Sequence, residues 1–168
     1  MAVSIRTMQE ADIADVRRVA RTTWHATYAG VIPEPVRTRF LDAFYSDEAL
    51  KRRMGGSLLL VAESERGIVG FANFFESRRD PEEAELGAIY IMPDAQRTGV
   101  GSMLLAEGIG RLAGTKRLFV NVERSNRNGR AFYDARKFRI VGETQELFYG
   151  HALTTVKMRL DLACRDAE

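Results

Sequence analysis

Val3 and Ile5 alternate with polar neighbours, the period of two that marks a short strand, and Ile13, Val16, Val19, Ala20 and Thr23 then share one helical stripe. Between them, Thr7-Met-Gln-Glu10 reads as a capping box whose hydroxyl and carboxylate satisfy orphan amides, so a helix is predicted from about Met8. Gly30 and Pro33 break the stripe before a second helix through Val36, Phe40 and Phe44. Two β-rich runs, 57–62 and 68–75, flank a hairpin turn at 63–67, and a polar connection at 78–83 leads into a strand over 84–92. Helical spacing returns at Val100, Leu104, Leu105, Ile109 and Leu112. A strand over 116–123, a helix over 127–136 and closing strands over 138–145 and 147–160 follow. The predicted order is β-α-α-β-β-β-α-β-α-β-β, an α/β (α+β) pattern without internal repeats.

With 168 residues, 45% hydrophobic and 29% charged, the chain has the composition of one ordinary globular domain, expected over 1–162 with a polar tail at 163–168. Its longest apolar run, 58–62, is far too short to cross a bilayer, and no secretory signal is visible, so no membrane partner and a cytoplasmic location are expected. A formal charge of +2 argues against a nucleic-acid partner. His25, His151 and Cys164 lack metal-ligand spacing, and no metal is expected.

The chemistry concentrates where the strand over 84–92 runs through Pro93 into Gln96-Arg-Thr-Gly-Val-Gly-Ser102 and an apolar helix. Amides at a helix start lack intrahelical partners and sit at the positive end of the helix dipole, which suits phosphates. The loop has neither the Lys-Ser/Thr ending of a nucleotide-hydrolase P-loop nor the third glycine of the dinucleotide fingerprint.

Gln96, Arg97, Gly99 and Gly101 instead resemble, position by position, the acetyl-CoA signature of the GNAT superfamily of N-acyltransferases, Gln/Arg-x-x-Gly-x-Gly/Ala after a strand ending in proline. Asn126, Tyr133 seven positions on and Phe138 five further resemble that family's second motif, and Glu85, eleven positions before Gln96, stands where several members carry a catalytic carboxylate. The family usually has Gly where this chain has Lys137, so a different helix end, or a left-handed residue costing about 1 kcal/mol, is expected there.

The resemblance implies a mixed, mostly antiparallel sheet of about seven strands, with the fourth and fifth splayed, and about four helices. It implies acetyl-CoA as co-substrate, its pyrophosphate on Gln96, Arg97, Thr98, Gly99, Val100, Gly101 and Ser102. Its arm would run past the backbone of Ile89, Tyr90 and Ile91, with Asn126, Arg130 and Tyr133 also in contact. An amine of pKa near 10.4 is neutral about once in 2,500 molecules at pH 7, so a base has a cost of roughly 4.6 kcal/mol to relieve. Glu85 is the candidate base, against the alternative of a solvated strand end, and Tyr133 the candidate donor to the departing thiolate. A backbone N–H near Ile91 would meet the developing oxyanion.

Trp24, His25, Tyr28, Gly30 and Pro33 resemble bacterial polyamine acetyltransferases of the PaiA type. Trp24 and Tyr28, with Phe74, Glu76 and Glu85, are the candidate acceptor wall, core aromatics being the competing reading for the first two. The implied reaction is acetyl transfer to a primary amine of a small molecule, polyamine-like or amino-acid-like. A protein N-terminus or lysine as acceptor, a non-catalytic acyl-CoA-binding regulator, and a homodimer remain open.

Overall fold

A computed structural model describes residues 2–162; the polar tail and Cys164 lie outside the described residues. Within them seven strands form one sheet: β1 (Val3–Thr7), β2 (Leu58–Ser64), β3 (Gly67–Glu76), β4 (Glu83–Ile91), β5 (Arg117–Glu123), β6 (Arg139–Phe148) and β7 (His151–Asp161). They lie in the order β1-β2-β3-β4-β5-β7-β6, and every neighbouring pair is antiparallel except β4 with β5.

Strand alternation sends side chains to two cores. Leu60, Ala72, Phe74 and Leu86 meet Leu104 and Leu105 of α4 (Val100–Arg111). Leu59, Val61 and Phe71 meet Val16, Val19 and Trp24 of α1 (Ile13–Tyr28) and Leu41 of α2 (Glu34–Phe44). Gly108 lets α4 lie on the sheet, because a Cβ there would stand 2.1 Å from the Phe74 ring.

The described residues contain five helices rather than four. α3 (Asp47–Gly56) was hidden by a sequence rich in Lys and Arg that buries only Ala49 and Leu50, and its one clear mark is Ser46, whose hydroxyl accepts from the Ala49 N–H at 3.2 Å. The start of α1 also differs from expectation. Thr7 stays in β1 and its hydroxyl accepts from Arg111 at 2.6 Å. The cap is made by Asp12, which accepts from the Gln9 N–H at 2.8 Å and pairs with both terminal nitrogens of Arg6 at 2.7 and 3.0 Å. The last hairpin turns at Tyr149-Gly150, both at positive φ, later than the expected break near residue 146.

One irregularity positions the site. Asn73 pairs with Ala88 and Phe74 with Leu86, so Gly87 is an extra, bulged residue of β4. A Cβ on it would sit 2.5 Å from the Phe75 ring. Before the bulge β4 pairs with β5 (Glu83–Leu86 with Arg117–Val120), and beyond it the pairing with β5 stops while the pairing with β3 continues. The two central strands therefore splay apart at their C-terminal ends, as expected.

Candidate active site

A cleft of about 760 Å³ fills the gap between β4 and β5. It runs from the N-terminus of α4 to the C-terminal turn of α1, past the start of α5 (Arg127–Ala135). The backbone of β4 supplies its inner wall. Met92 N–H donates to Val69 O at 2.8 Å, and antiparallel bonding alternates every two residues. Tyr90 is thus spent on Phe71, whereas Ile89 and Ile91 turn their N–H and C=O groups toward the gap. This corrects the expectation for the Tyr90 backbone. Gln96 already donates its side-chain amide to Ile91 O at 3.1 Å, leaving the Ile91 N–H free to face the cleft.

At the far end, Gly99 takes φ 90° and the first helical bond of α4 is donated by Met103 to Gly99 O at 3.0 Å, so the amides before Met103 lie outside the helical ladder. Arg97, Arg127 and Arg136 line this end. Arg136 stacks on Phe132 at 3.6 Å and donates twice to the Ser102 hydroxyl, at 3.1 and 2.5 Å, tying α5 to the start of α4. The two glycines differ in role. Nothing lies within 4 Å of a Cβ built on Gly99, whereas one on Gly101 would meet Phe132 at 2.8 Å.

The side chains of Thr98 and Val100 turn away from the cleft, the Thr98 hydroxyl donating to Ala95 O at 2.5 Å and Val100 buried in the core, so any contact these two residues make there is through their backbone. Arg130, expected against the cofactor, folds back to Arg124 O at 2.9 Å, and the cationic lining comes instead from Arg127 and Arg136. Lys137 does take the left-handed conformation, φ 71°, and Phe138 N–H reaches Tyr133 O at 3.1 Å to close the helix as glycine would.

Tyr133 stands in the middle of the cleft, nearly buried, and burial among Tyr90 and Tyr28 pushes its hydroxyl pKa above the ordinary tyrosine range. Asn126 caps α5, its Oδ1 accepting from the Gly129 N–H at 3.0 Å. Glu85 is exposed on β4 beside the cleft and does not line it. Asn121, which does, donates to Glu85 at 3.1 Å.

The acceptor wall also differs from expectation. Phe74 faces α4 and is 1% exposed, so it is core and no wall of the cleft. Glu76, opposite Ala84, shares that face and lies outside the cleft. Phe75, one residue from each, pairs with Glu85 on the other face. Trp24 is 7% exposed, stacked on Phe40 at 4.2 Å and tilted against Tyr28 at 4.6 Å, leaving little ring face for a cation. It reaches the cleft through its indole N–H, bonded to the Tyr90 hydroxyl at 2.9 Å. That Tyr90 carries a side-chain role was missed, although an aromatic between two isoleucines facing the other way was a signal. His25 accepts from Arg37 at 3.0 Å and His151 contacts Val31 O at 3.2 Å, and no group of potential metal ligands occurs among the described residues.

Residues 16–138 match the model of the Acetyltransferase (GNAT) family. The chain belongs to that family. It is similar to an uncharacterised N-acetyltransferase of Bacillus subtilis (35% identical over 63% of this chain and 62% of that one). It also resembles the spermidine N(1)-acetyltransferase of Thermoplasma acidophilum, 29% identical over 83% of this chain and 90% of that one. Among solved structures, the PaiA N-acetyltransferase of T. acidophilum in complex with coenzyme A superposes with a TM-score of 0.81 at 25% identity, covering 96% of this chain and 99% of that one.

This GNAT chain is an acetyl-CoA-dependent N-acetyltransferase, and the site fits its co-substrate. The left-handed Gly99, the unladdered amides of α4 and three arginines suit phosphates, and the exposed backbone edge at Ile89 and Ile91 suits the amides of a pantetheine arm. Among the described residues no helix is long and apolar enough to cross a membrane.

Proposed function

We propose that this enzyme, acting in the cytoplasm, acetylates a primary amine of a small molecule, polyamine-like or amino-acid-like, by direct attack within a ternary complex. The observation that carries this reading is the continuity of the cleft. One cavity joins the phosphate-binding end at Gly99 to the Tyr28, Tyr90 and Tyr133 end, so both substrates fit at once. The similarity to a spermidine acetyltransferase supports a small amine as acceptor.

When bound, acetyl-CoA supplies an activated acyl group and a thiolate leaving group. The Ile91 N–H is the donor that would meet negative charge on the acyl oxygen. Tyr133 would hold the proton that the departing sulfur takes up. Glu85, oriented by Asn121, would draw a proton from the incoming ammonium, through water given its place beside the cleft. Asn126, with Oδ1 fixed by the cap, would offer its amide hydrogens to polar groups in the cleft.

The test is release of free coenzyme A thiol over a panel of amines, with cofactor affinity measured separately by calorimetry. Turnover on a small amine supports the reading. Tight acetyl-CoA binding without turnover on any small amine overturns it, pointing to a protein acceptor or to a regulator.

A further inference from the structure

Strand β6 closes the sheet on one side and is exposed along almost its whole length. Of the large hydrophobic side chains exposed among the described residues, Ile140 (57%), Val141 (42%) and Leu147 (77%) all lie on it. The opposite edge, β1, is half as long and exposes none. Natural sheet edges are commonly guarded by Lys or Pro, and residues 139–148 contain neither. The backbone bonds of β7 show which groups of β6 are unpaired. Arg124 N–H donates to Thr154 O at 2.9 Å and Leu162 N–H to Lys116 O at 2.6 Å, so even-numbered residues of β7 face β5 and odd-numbered ones face β6. Thr144 pairs with Thr155 and is spent on β7, whereas Glu143, Gln145 and Leu147 turn their N–H and C=O groups outward. Glu143, opposite Val156, shares a face with Gln145 and Leu147, and the irregularity between Ile140 and Gly142 puts Ile140, opposite Met158, on that face too.

We propose that β6 is a dimerisation edge whose partner is β6 of a second copy of this chain, paired antiparallel about a two-fold axis through Thr144. A two-fold contact sets residue i against j and j against i, so the strand must be complementary to itself, and few registers are available. About Thr144, Glu143 meets the partner's Gln145, and the outward backbone groups of the two donate to each other. Gly142 meets the partner's Glu146, and the bulged Ile140-Val141 step meets the partner's Leu147, so the exposed apolar side chains are covered at both ends. An axis through Glu143 would set two carboxylates face to face. One through Gln145 would lay Glu143 on the partner's Leu147 and leave Ile140 uncovered. The Thr144 axis alone among these satisfies backbone, charge and apolar surface together. The sheet then runs on through both protomers, and both clefts stay open, because no residue of β6 lines them. The inference is independent of which amine is acetylated.

Sedimentation equilibrium of the full chain across roughly 1–200 µM should show a mass rising from one chain to two. Leu147→Glu removes an apolar contact and brings a carboxylate near the partner's Glu143. Because the change is made twice across the axis, the dissociation constant should rise at least about tenfold. The side chain is exposed in the single chain, so the melting temperature of the dilute protein should hold. The register is read separately by cross-linking in a Cys164→Ser background, which removes the chain's one native thiol. A residue facing itself in a non-hydrogen-bonded pair stands about 4.5 Å from its partner, Cα to Cα, within disulfide reach. Mild oxidation should therefore join Thr144→Cys into covalent dimers and leave Gln145→Cys largely single. This pair carries the test if Leu147→Glu fails to fold. A chain that stays monomeric over the whole range, a dimer indifferent to Leu147→Glu, or faster cross-linking at 145 than at 144 would each overturn the inference.

Discussion

Tyr133→Phe removes one oxygen from the middle of the cleft and little else. The ring is held edge-on between Phe132 at 5.4 Å and Phe138 at 5.3 Å, contacts that phenylalanine reproduces, so the melting temperature should barely move. Acetyl-CoA affinity should stay within about twofold, because the phosphate end is untouched. Turnover is another matter. A positioned general acid contributes roughly 10²- to 10⁴-fold, or about 3–5 kcal/mol of barrier, and kcat should fall by that factor in a thiol-release assay at saturating amine. The pH dependence sharpens the test. Burial raises the hydroxyl pKa, so the proton is retained through and beyond the ordinary tyrosine range near 10. The parent enzyme should therefore show no descending limb attributable to this acid between about pH 7 and 10. Turnover of Tyr133→Phe within about twofold of the parent would refute the role. So would a descending limb below about pH 9 that disappears in the variant, since it would mean an acid with a lowered pKa.

The same burial acts on Tyr28, Tyr45 and Tyr90, all raised by desolvation. A raised folded pKa gives stability that is fully present below the unfolded value near 10 and is lost as pH rises above it, so the melting temperature should drop steeply above about pH 10. Lys137→Gly relieves a left-handed residue at the end of α5 and should stabilise by about 1 kcal/mol, raising the melting temperature by roughly 2–4 °C; a decrease would refute the assignment of strain. Gly101→Val drives a side chain into Phe132 and should cost about 1–3 kcal/mol while weakening coenzyme A binding through the Arg136–Ser102 tie; unchanged melting and affinity would count against that tie. Glu85→Gln should depress kcat/KM most near pH 7 and recover toward the parent as the free amine accumulates at higher pH; a pH-independent loss would instead mark a positioning role.

The cofactor half of the site was legible because its chemistry is carried by the backbone. A strand, a turn with glycine at positive φ and a helix start can be read from residue types in order, and Gln96, Arg97, Gly99 and Gly101 all reach the cleft. What sequence could not separate was the reason for each glycine. Gly99 answers to its own dihedral, but Gly101 answers to a ring thirty-one residues away, a long-range contact with no local mark. Arg130 was likewise expected against the cofactor, and only the folding of its side chain onto Arg124 O, with Arg127 lining the cleft, reverses that choice.

The acceptor half was less legible, and the cause is parity. Along a strand a shift of one residue moves a side chain through the sheet, so choosing Phe74 over Phe75 exchanges a core ring for one on the acceptor face. The Gly87 bulge compounds this by reversing the alternation within β4, which puts Leu86 and Ala88 in opposite cores although both are buried. Hydrophobic periodicity counted through the bulge misplaces everything on one side of it. The bulge also ends the pairing of β4 with β5 and so opens the cleft. The feature that defeats a sequence-based assignment of the acceptor wall is thus the one that opens the cleft, and a residue such as Tyr90, which sits beyond it, acquires its place only when α1 brings the Trp24 indole N–H to its hydroxyl.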